Sequence, residues 1–394
     1  MQTLSQDPTD DSFVQDPYAF YQRARETVGS CFHWQEYGMP AALSYSMVAA
    51  ILRDRRFGRE APEGLGPEKP PHQADFWAVE DHSMLELEPP RHTRLRKLVL
   101  HAFTSRRIAS LEPEIKALAG ELLSDLPSGP FDLLPVFANK LPIIVIARLL
   151  GVPEKDADLL LNWSHAMVGM YQARRTYEME VAASTAAREF SDYLKDIIAH
   201  KRRSPADDLL SELIAAEEAG DKLSGPELIT TAILVLNAGH EATVHTIGNG
   251  VLALLQAGYG SDVLTPDRIE AAAEEILRFD TPLHLFDRWA YDDIELGQIT
   301  VPRHTKIACL LGAANRDPQR WEDPDRFDPL RPIQTNASFG AGTHFCIGAP
   351  LARLELRAAL PVLFSRLPGM ALAETPTYAP TYHFHGLQRL MVKC

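Results

Sequence analysis

Apolar residues fall on nearly every face of segment 224–256: Ile229, Ile233, Leu234, Val235, Leu236, Val244, Ile247 and Val251 leave no polar stripe. A helix that is apolar all round is buried on all sides. Ser224 and Glu227 have capping-box spacing, and Pro226 falls in the first turn, where a missing N–H costs little. The segment therefore predicts a helix of roughly 45 Å crossing the centre of the molecule. A narrower pattern follows. Thr265 offers a cap, Pro266 a first position, and Ile269, Ala272, Ala273, Ile276 and Leu277 recur on one face, predicting a helix with a single buried stripe. Ile294, Leu296, Ile299 and Val301 then alternate around Gly297-Gln298, the spacing of a hairpin with a type II′ turn. Residues 59–76, rich in Pro and Gly, read as a long surface loop. Most of the remainder reads as helix, so the fold class is mainly α with small β-sheets.

The 394 residues suit two domains or one large helical unit. A net charge of -14 speaks against nucleic acid as a partner. The N-terminal stretch is polar and acidic, without the basic flank and apolar run of a secretory signal. The longest apolar stretch, 141–152, is short and contains Arg148, too little to span a bilayer of about 30 Å. The expectation is a cytoplasmic protein with no membrane partner.

Cys31, Cys309, Cys346 and Cys394 are far apart, which fits neither a disulfide framework nor the usual zinc spacings. A functional thiol would act alone. Cys346 is the candidate, because Gly340, Gly342 and Gly348 surround it, His344 stands two places before it, and a helix opens near Pro350. Glycines let backbone turn sharply and approach closely. Free N–H groups at a helix start favour negative charge on sulfur, and a thiolate is a soft metal ligand. An inert buried cysteine beside a Gly-rich turn is the plainer alternative.

The full string Phe339-Gly-x-Gly-x-His344-x-Cys346-x-Gly348 resembles the haem-binding loop of the cytochrome P450 family. The resemblance continues in Glu275-x-x-Arg278, in Arg326 of "PDRFDP", in His92 and Arg96 of "HTRLR", and in "AANRDP" at 313–318, which looks like the soluble bacterial branch. It implies a cytochrome P450 fold, a triangular helical prism with a long central helix over haem, formed by residues 1–394 as one domain with a helix-rich and a smaller β-containing part. It further implies haem b as cofactor and Cys346 as iron ligand. His92, Arg96, Arg288 and His344 would take the propionates, with Phe339, Gly348 and Ala238 also at the haem. Glu275, Arg278 and Arg326 would make a buried structural cluster, although on an ideal wheel Glu275 and Arg278 lie opposite the apolar stripe, like a surface ion pair.

The implied activity is monooxygenation: activation of dioxygen and hydroxylation, or oxidative dealkylation, of a small hydrophobic molecule. The resemblance occupies the whole chain, so electrons would come from a separate ferredoxin-type donor and its reductase. The locally basic Arg91, Arg94, Lys97, Arg106 and Arg107 would offer the docking face.

In the central helix, "AGHEAT" carries Ala238, Gly239, His240, Glu241, Ala242 and Thr243. Gly in mid-helix costs about 1 kcal/mol relative to Ala, which suggests that a flat macrocycle and dioxygen approach there. Glu241 suits a proton relay, or a salt bridge to a neighbouring element. The family pattern places threonine directly after the acid. Here Ala242 takes that place, and Thr243 lies about 100° further round. A substrate hydroxyl, an ordered water, or Thr243 on a bulged helix would have to substitute.

The family's substrate regions fall on Trp77, Leu234, Asn237, Leu283, His284, Phe286, Tyr382 and Phe384. Asn237 and His284 could hydrogen-bond a substrate or be satisfied internally. Ala242 keeps open a peroxide-driven or otherwise non-monooxygenase haem-thiolate enzyme, and a non-catalytic haem-binding sensor is a further alternative. Pro361 predicts a kink or break in the helix after the cysteine loop.

Overall fold

The computed structural model describes residues 1–218, 223–297 and 299–394. The all-round apolar segment is one uninterrupted helix, Gly225–Gln256. Its capping box is closed: the Glu227 amide donates to the Ser224 hydroxyl at 3.4 Å, and the Ser224 amide to the Glu227 carboxylate at 2.9 Å. The helix packs against Lys140–Leu150, Ala157–Val168, Tyr177–Arg203, Ile269–Phe279 and Ala349–Arg366. Its side chains join the largest apolar core of the molecule.

The second helix starts later than its pattern suggests, at Ile269. Before it the Thr265 carbonyl accepts from the Arg268 and Ile269 amides, both at 2.9 Å, so Thr265 and Pro266 form a turn that leads into the helix. The hairpin pairs Ile294 with Val301 and Leu296 with Ile299. Gly297 has φ +60°, as a primed turn requires; its companion Gln298 lies outside the described residues. The 59–76 loop is shorter than expected, because Pro71–Gln73 is a 3₁₀ turn and Ala74–Glu80 a helix. Ala349–Arg366 runs through Pro361 without a break. Leu360, Leu363 and Phe364 are buried around it, and that packing offsets the roughly 3 kcal/mol cost of an interior proline.

A six-stranded sheet stands to one side, in the order Thr3–Leu4, Cys31–Trp34, Met39–Ala42, Lys306–Leu310, Leu285–Ala290 and Phe57–Gly58. Phe13, Phe20, Tyr21, Phe32, Trp34 and Tyr382 form a separate aromatic core against it. Among the described residues no helix is long and apolar enough to cross a membrane.

Candidate functional site

The cysteine loop is held by its own backbone: the Cys346 amide donates to the Phe339 carbonyl at 3.0 Å. Gly340 and Gly342 have φ +66° and +70°, a region that side chains disfavour. At Gly342 a Cβ would also stand 2.1 Å from the Leu52 carbonyl oxygen, so the loop presses on helix Tyr45–Arg53. Gly342→Ala is expected to cost more than about 1 kcal/mol, read as a lower thermal midpoint; an unchanged midpoint would show that the loop has slack.

Cys346 is exposed, yet burial pushes its thiol up. An accessible residue with a desolvated thiol fits a sulfur that faces an enclosed space. The Gly348 and Ala349 amides and the Arg96 and Arg353 guanidinium groups act the other way, favouring thiolate. A bound cation reinforces them by deprotonating a coordinated thiol.

The central helix has a matching anomaly. Ala238 is exposed in mid-helix, and Leu234 and Ala242, four places to either side, are half-buried, while Ile233, Leu236, His240 and Thr243 are buried. A spacing of four marks one face, so the helix presents a strip of accessible, small, apolar surface inside the molecule. Gly239 is not part of it: a Cβ there would stand 3.0 Å from Ile146 Cδ1. Close packing against Lys140–Leu150 explains this glycine, which corrects the expectation that it clears space for a macrocycle. Thr243 lies on that same side. Its hydroxyl donates to the Gly239 carbonyl at 3.3 Å, and the helix has no bulge that would turn Thr243 toward the face of position 242.

Histidines and arginines gather beside the cysteine loop. His344 Nε2 meets Glu88 Oε1 at 2.8 Å, and the His92 and His344 rings lie 4.4 Å apart. Arg96 donates to the Phe345 carbonyl at 2.6 Å. His92 is 2 % exposed with Nδ1 lacking a partner, and burial pushes it down to about 4. Arg288 is 3 % exposed, and burial together with nearby Arg59 pushes it down to about 10. Arg59 pairs with Glu86 but leaves its buried Nε without a partner. Glu86, Glu88 and Asp287 stand among these groups, yet His92 Nδ1 and Arg59 Nε keep unpaired donor positions, which two carboxylates can fill. A soft donor, an apolar helix strip and these nitrogen donors together fit a flat, dianionic iron macrocycle such as haem. Phe339 closes the loop's flank, under the Arg353 guanidinium at 4.6 Å.

The Glu-x-x-Arg pair is buried, contrary to the wheel. Glu275 and Arg278 side chains are 2 % and 1 % exposed, and Arg278 Nε and Nη2 donate to the two Glu275 oxygens at 2.7 and 2.8 Å. The second arginine is Arg331, at 3.3 Å from Glu275, rather than Arg326. Arg326 is exposed and contributes its backbone carbonyl, which accepts from Arg278 and Arg331 at 3.3 and 3.2 Å. "PDRFDP" supplies a turn around the cluster, and the guanidinium comes from five residues later, which no local pattern signals.

The substrate candidates separate into two groups. His284 is 0 % exposed; its Nδ1 pairs with the Tyr21 hydroxyl at 2.8 Å, and Tyr382, 3 % exposed, holds that same hydroxyl at 2.8 Å. Both belong to the aromatic core, which leaves neither with surface for a ligand and overturns their assignment as substrate contacts. Asn237 donates weakly to Met167 Sδ at 3.8 Å and keeps a buried Oδ1 without a partner. Trp77 is half-buried, its Nε1 donating to Gln73 at 2.9 Å. Leu283 bridges to Phe384, whose ring lies 6.4 Å from that of His245 on the central helix. Phe286 touches the underside of the loop, 3.3 Å from where a Gly340 Cβ would be. Glu241 stands between three histidines, His165, His240 and His245, at 3.4, 3.5 and 3.6 Å. Of these, His165 comes from a different helix and carries no sequence signal.

The sequence model of the family described as Cytochrome P450 matches residues 269–368. Cytochrome P450 107B1 of Saccharopolyspora erythraea is 37% identical over 411 residues, 98% of this chain and 96% of its own. The vitamin D(3) 25-hydroxylase of Pseudonocardia autotrophica is 42% identical over 356 residues, 88% and 86% of the two chains. Among solved structures, P450BioI in complex with hexadec-9Z-enoic acid ligated acyl carrier protein has a TM-score of 0.90 at 34% identity, covering 97% of this chain and 99% of that one.

Proposed function

Since the chain belongs to the cytochrome P450 family, whose members bind haem, we propose that Cys346 is the iron ligand of a monooxygenase that hydroxylates a small hydrophobic molecule. The observation that carries this reading is the exposed yet desolvated Cys346 thiol on its glycine loop. Bound haem supplies the dioxygen and one-electron chemistry, tuned by the thiolate on its iron. His92, Arg96, Arg288 and His344 would hold the propionates, and Ala238 and Ala242 would offer a small-residue wall to the bound group.

Glu241 moves protons. It is ionised, because His245, His165 and His240 hold it down to about 2 against the desolvation that works the other way. Ala242 offers no hydroxyl, and that of Thr243 is engaged with Gly239. A hydroxyl on the substrate, or a water held by Glu241, completes the relay. The unpaired Asn237 Oδ1 favours a substrate that carries a donor of its own. Relatives named for 25-hydroxylation of vitamin D(3) and for hydroxylation of 6-deoxyerythronolide B support a bulky, largely apolar substrate that bears a hydroxyl.

Electrons come from a ferredoxin-type protein and its reductase. Exposed Lys97 and Arg106 support docking on the side of the cysteine loop, to which Arg96 ties helix Arg91–Ala102, the one that carries Lys97. Ion pairs of Arg91 with Glu60, Arg94 with Glu227 and Arg107 with Glu212 reduce the net charge of that face.

A spectral screen of terpenoids, aromatics and macrolides tests the substrate class. Bulky hydroxylated compounds are expected to shift the ferric haem band, and silence across the panel would overturn the class. Ala242→Thr is expected to raise product formed per NAD(P)H, by about twofold or more, for substrates with no hydroxyl near the oxidised carbon. Unchanged coupling would remove position 242 from the relay. Ala242 also favours a second reading, peroxide-driven turnover, which full rates with peroxide and no electron donor would support.

A further inference from the structure

The proton relay does not account for the company that Glu241 keeps. His165 Nε2, on helix Ala157–Val168, lies 3.4 Å from Glu241 Oε2, and His240 Nδ1 lies 3.5 Å from the same oxygen. The His240 side chain has no exposed surface, and neither of its ring nitrogens has a partner; nor does Glu241 Oε2. An unpaired buried polar group is costly. Here two such atoms, His240 Nδ1 and Glu241 Oε2, face each other.

The gaps are informative. They are too long for good hydrogen bonds, but they match the edge of a tetrahedron, roughly 3.4 Å, around a metal with bonds of about 2.0–2.1 Å. The three donor atoms lie within 4.8 Å of one another. Two imidazoles and one carboxylate form a donor set suited to zinc, with the fourth position left for water. The His165 side chain is 49% exposed, which gives an ion a route in.

In the other close group of acid and histidines among the described residues, Asp280, His284 and His385, His385 Nδ1 also lacks a partner, but the acid and His284 are already engaged. Tyr18 and Tyr378 donate to the two Asp280 oxygens at 2.9 and 2.7 Å, and Tyr21 meets His284 at 2.8 Å.

We propose that His165, His240 and Glu241 form a site for a divalent transition-metal ion of the zinc type, and that its occupation stops turnover. The ion takes Glu241 out of the proton relay and ties Ala157–Val168 to the central helix. The inhibitory half rests on the monooxygenase reading; the binding half does not.

The test uses the haem-loaded enzyme, stripped with a chelator, exposed to zinc chloride and gel-filtered before metal analysis. Wild type should retain one zinc per chain. His165→Ala, a change at an exposed position, should lower the affinity at least about tenfold, since even partners outside the ligand set cost 10–100-fold. Equal retention by both proteins, or none by wild type, overturns the site. In a parallel assay zinc should inhibit wild-type turnover and leave the variant's turnover unaffected. Zinc retained by wild type without inhibition overturns the regulatory half alone.

Discussion

Arg278→Met is expected to cost about 3–5 kcal/mol of stability, the range for removing one partner of a buried ion pair. The guanidinium has more than one partner to lose. Besides the bidentate pair with Glu275, Arg278 Nη1 donates to the Asn315 and Pro324 carbonyls at 2.9 and 2.8 Å, and Nη2 donates to Arg326. Methionine fills much of the volume but leaves a buried carboxylate and several carbonyls with fewer donors. Against a total stability of about 5–15 kcal/mol, that loss leaves little reserve. Denaturant titration of the haem-loaded protein would measure it, and a loss below about 1 kcal/mol would contradict the burial of the cluster. Arg326→Ala should stay close to wild type, because that residue contributes a backbone carbonyl and its side chain is exposed.

Cys346→Ser is expected to lower monooxygenation about a thousandfold or more, a loss of the size seen when the group that carries the chemistry is removed. Serine retains the loop: Gly340 and Gly342 keep their positive φ, and the Cys346 amide bond to Phe339 is made by backbone. What disappears is the soft anionic donor, since a hydroxyl is far harder to deprotonate than a thiol and matches iron less well. The assay is product formed with an electron-transfer system present, alongside circular dichroism to establish folding. Activity within tenfold of wild type would remove Cys346 from the chemistry.

The elements that depend on neighbours in sequence were the legible ones. The central helix has its capping box and its all-round apolar pattern within 224–256, and it forms where those signals lie. The cysteine loop could be read because its glycines, its histidine and its thiol sit within ten residues. Whatever depends on distant chain was hidden. The burial of Glu275 and Arg278 is imposed by residues 315–331 folding across them, so the helical wheel placed the pair on the wrong side and only the family resemblance put it inside. His284 and Tyr382 are claimed by Tyr21, more than 260 residues away from either. Gly239 reports a helix neighbour, Ile146, and no ligand. His165 meets Glu241 only because two helices cross.

The most direct test of the account is the absorption spectrum of the dithionite-reduced wild-type protein under carbon monoxide. A thiolate ligand donates charge through the iron and shifts the carbonyl band strongly to the red, and that band is the predicted result. A band at the unshifted position of an imidazole-ligated haem, in the freshly purified and folded protein, would contradict the assignment of Cys346.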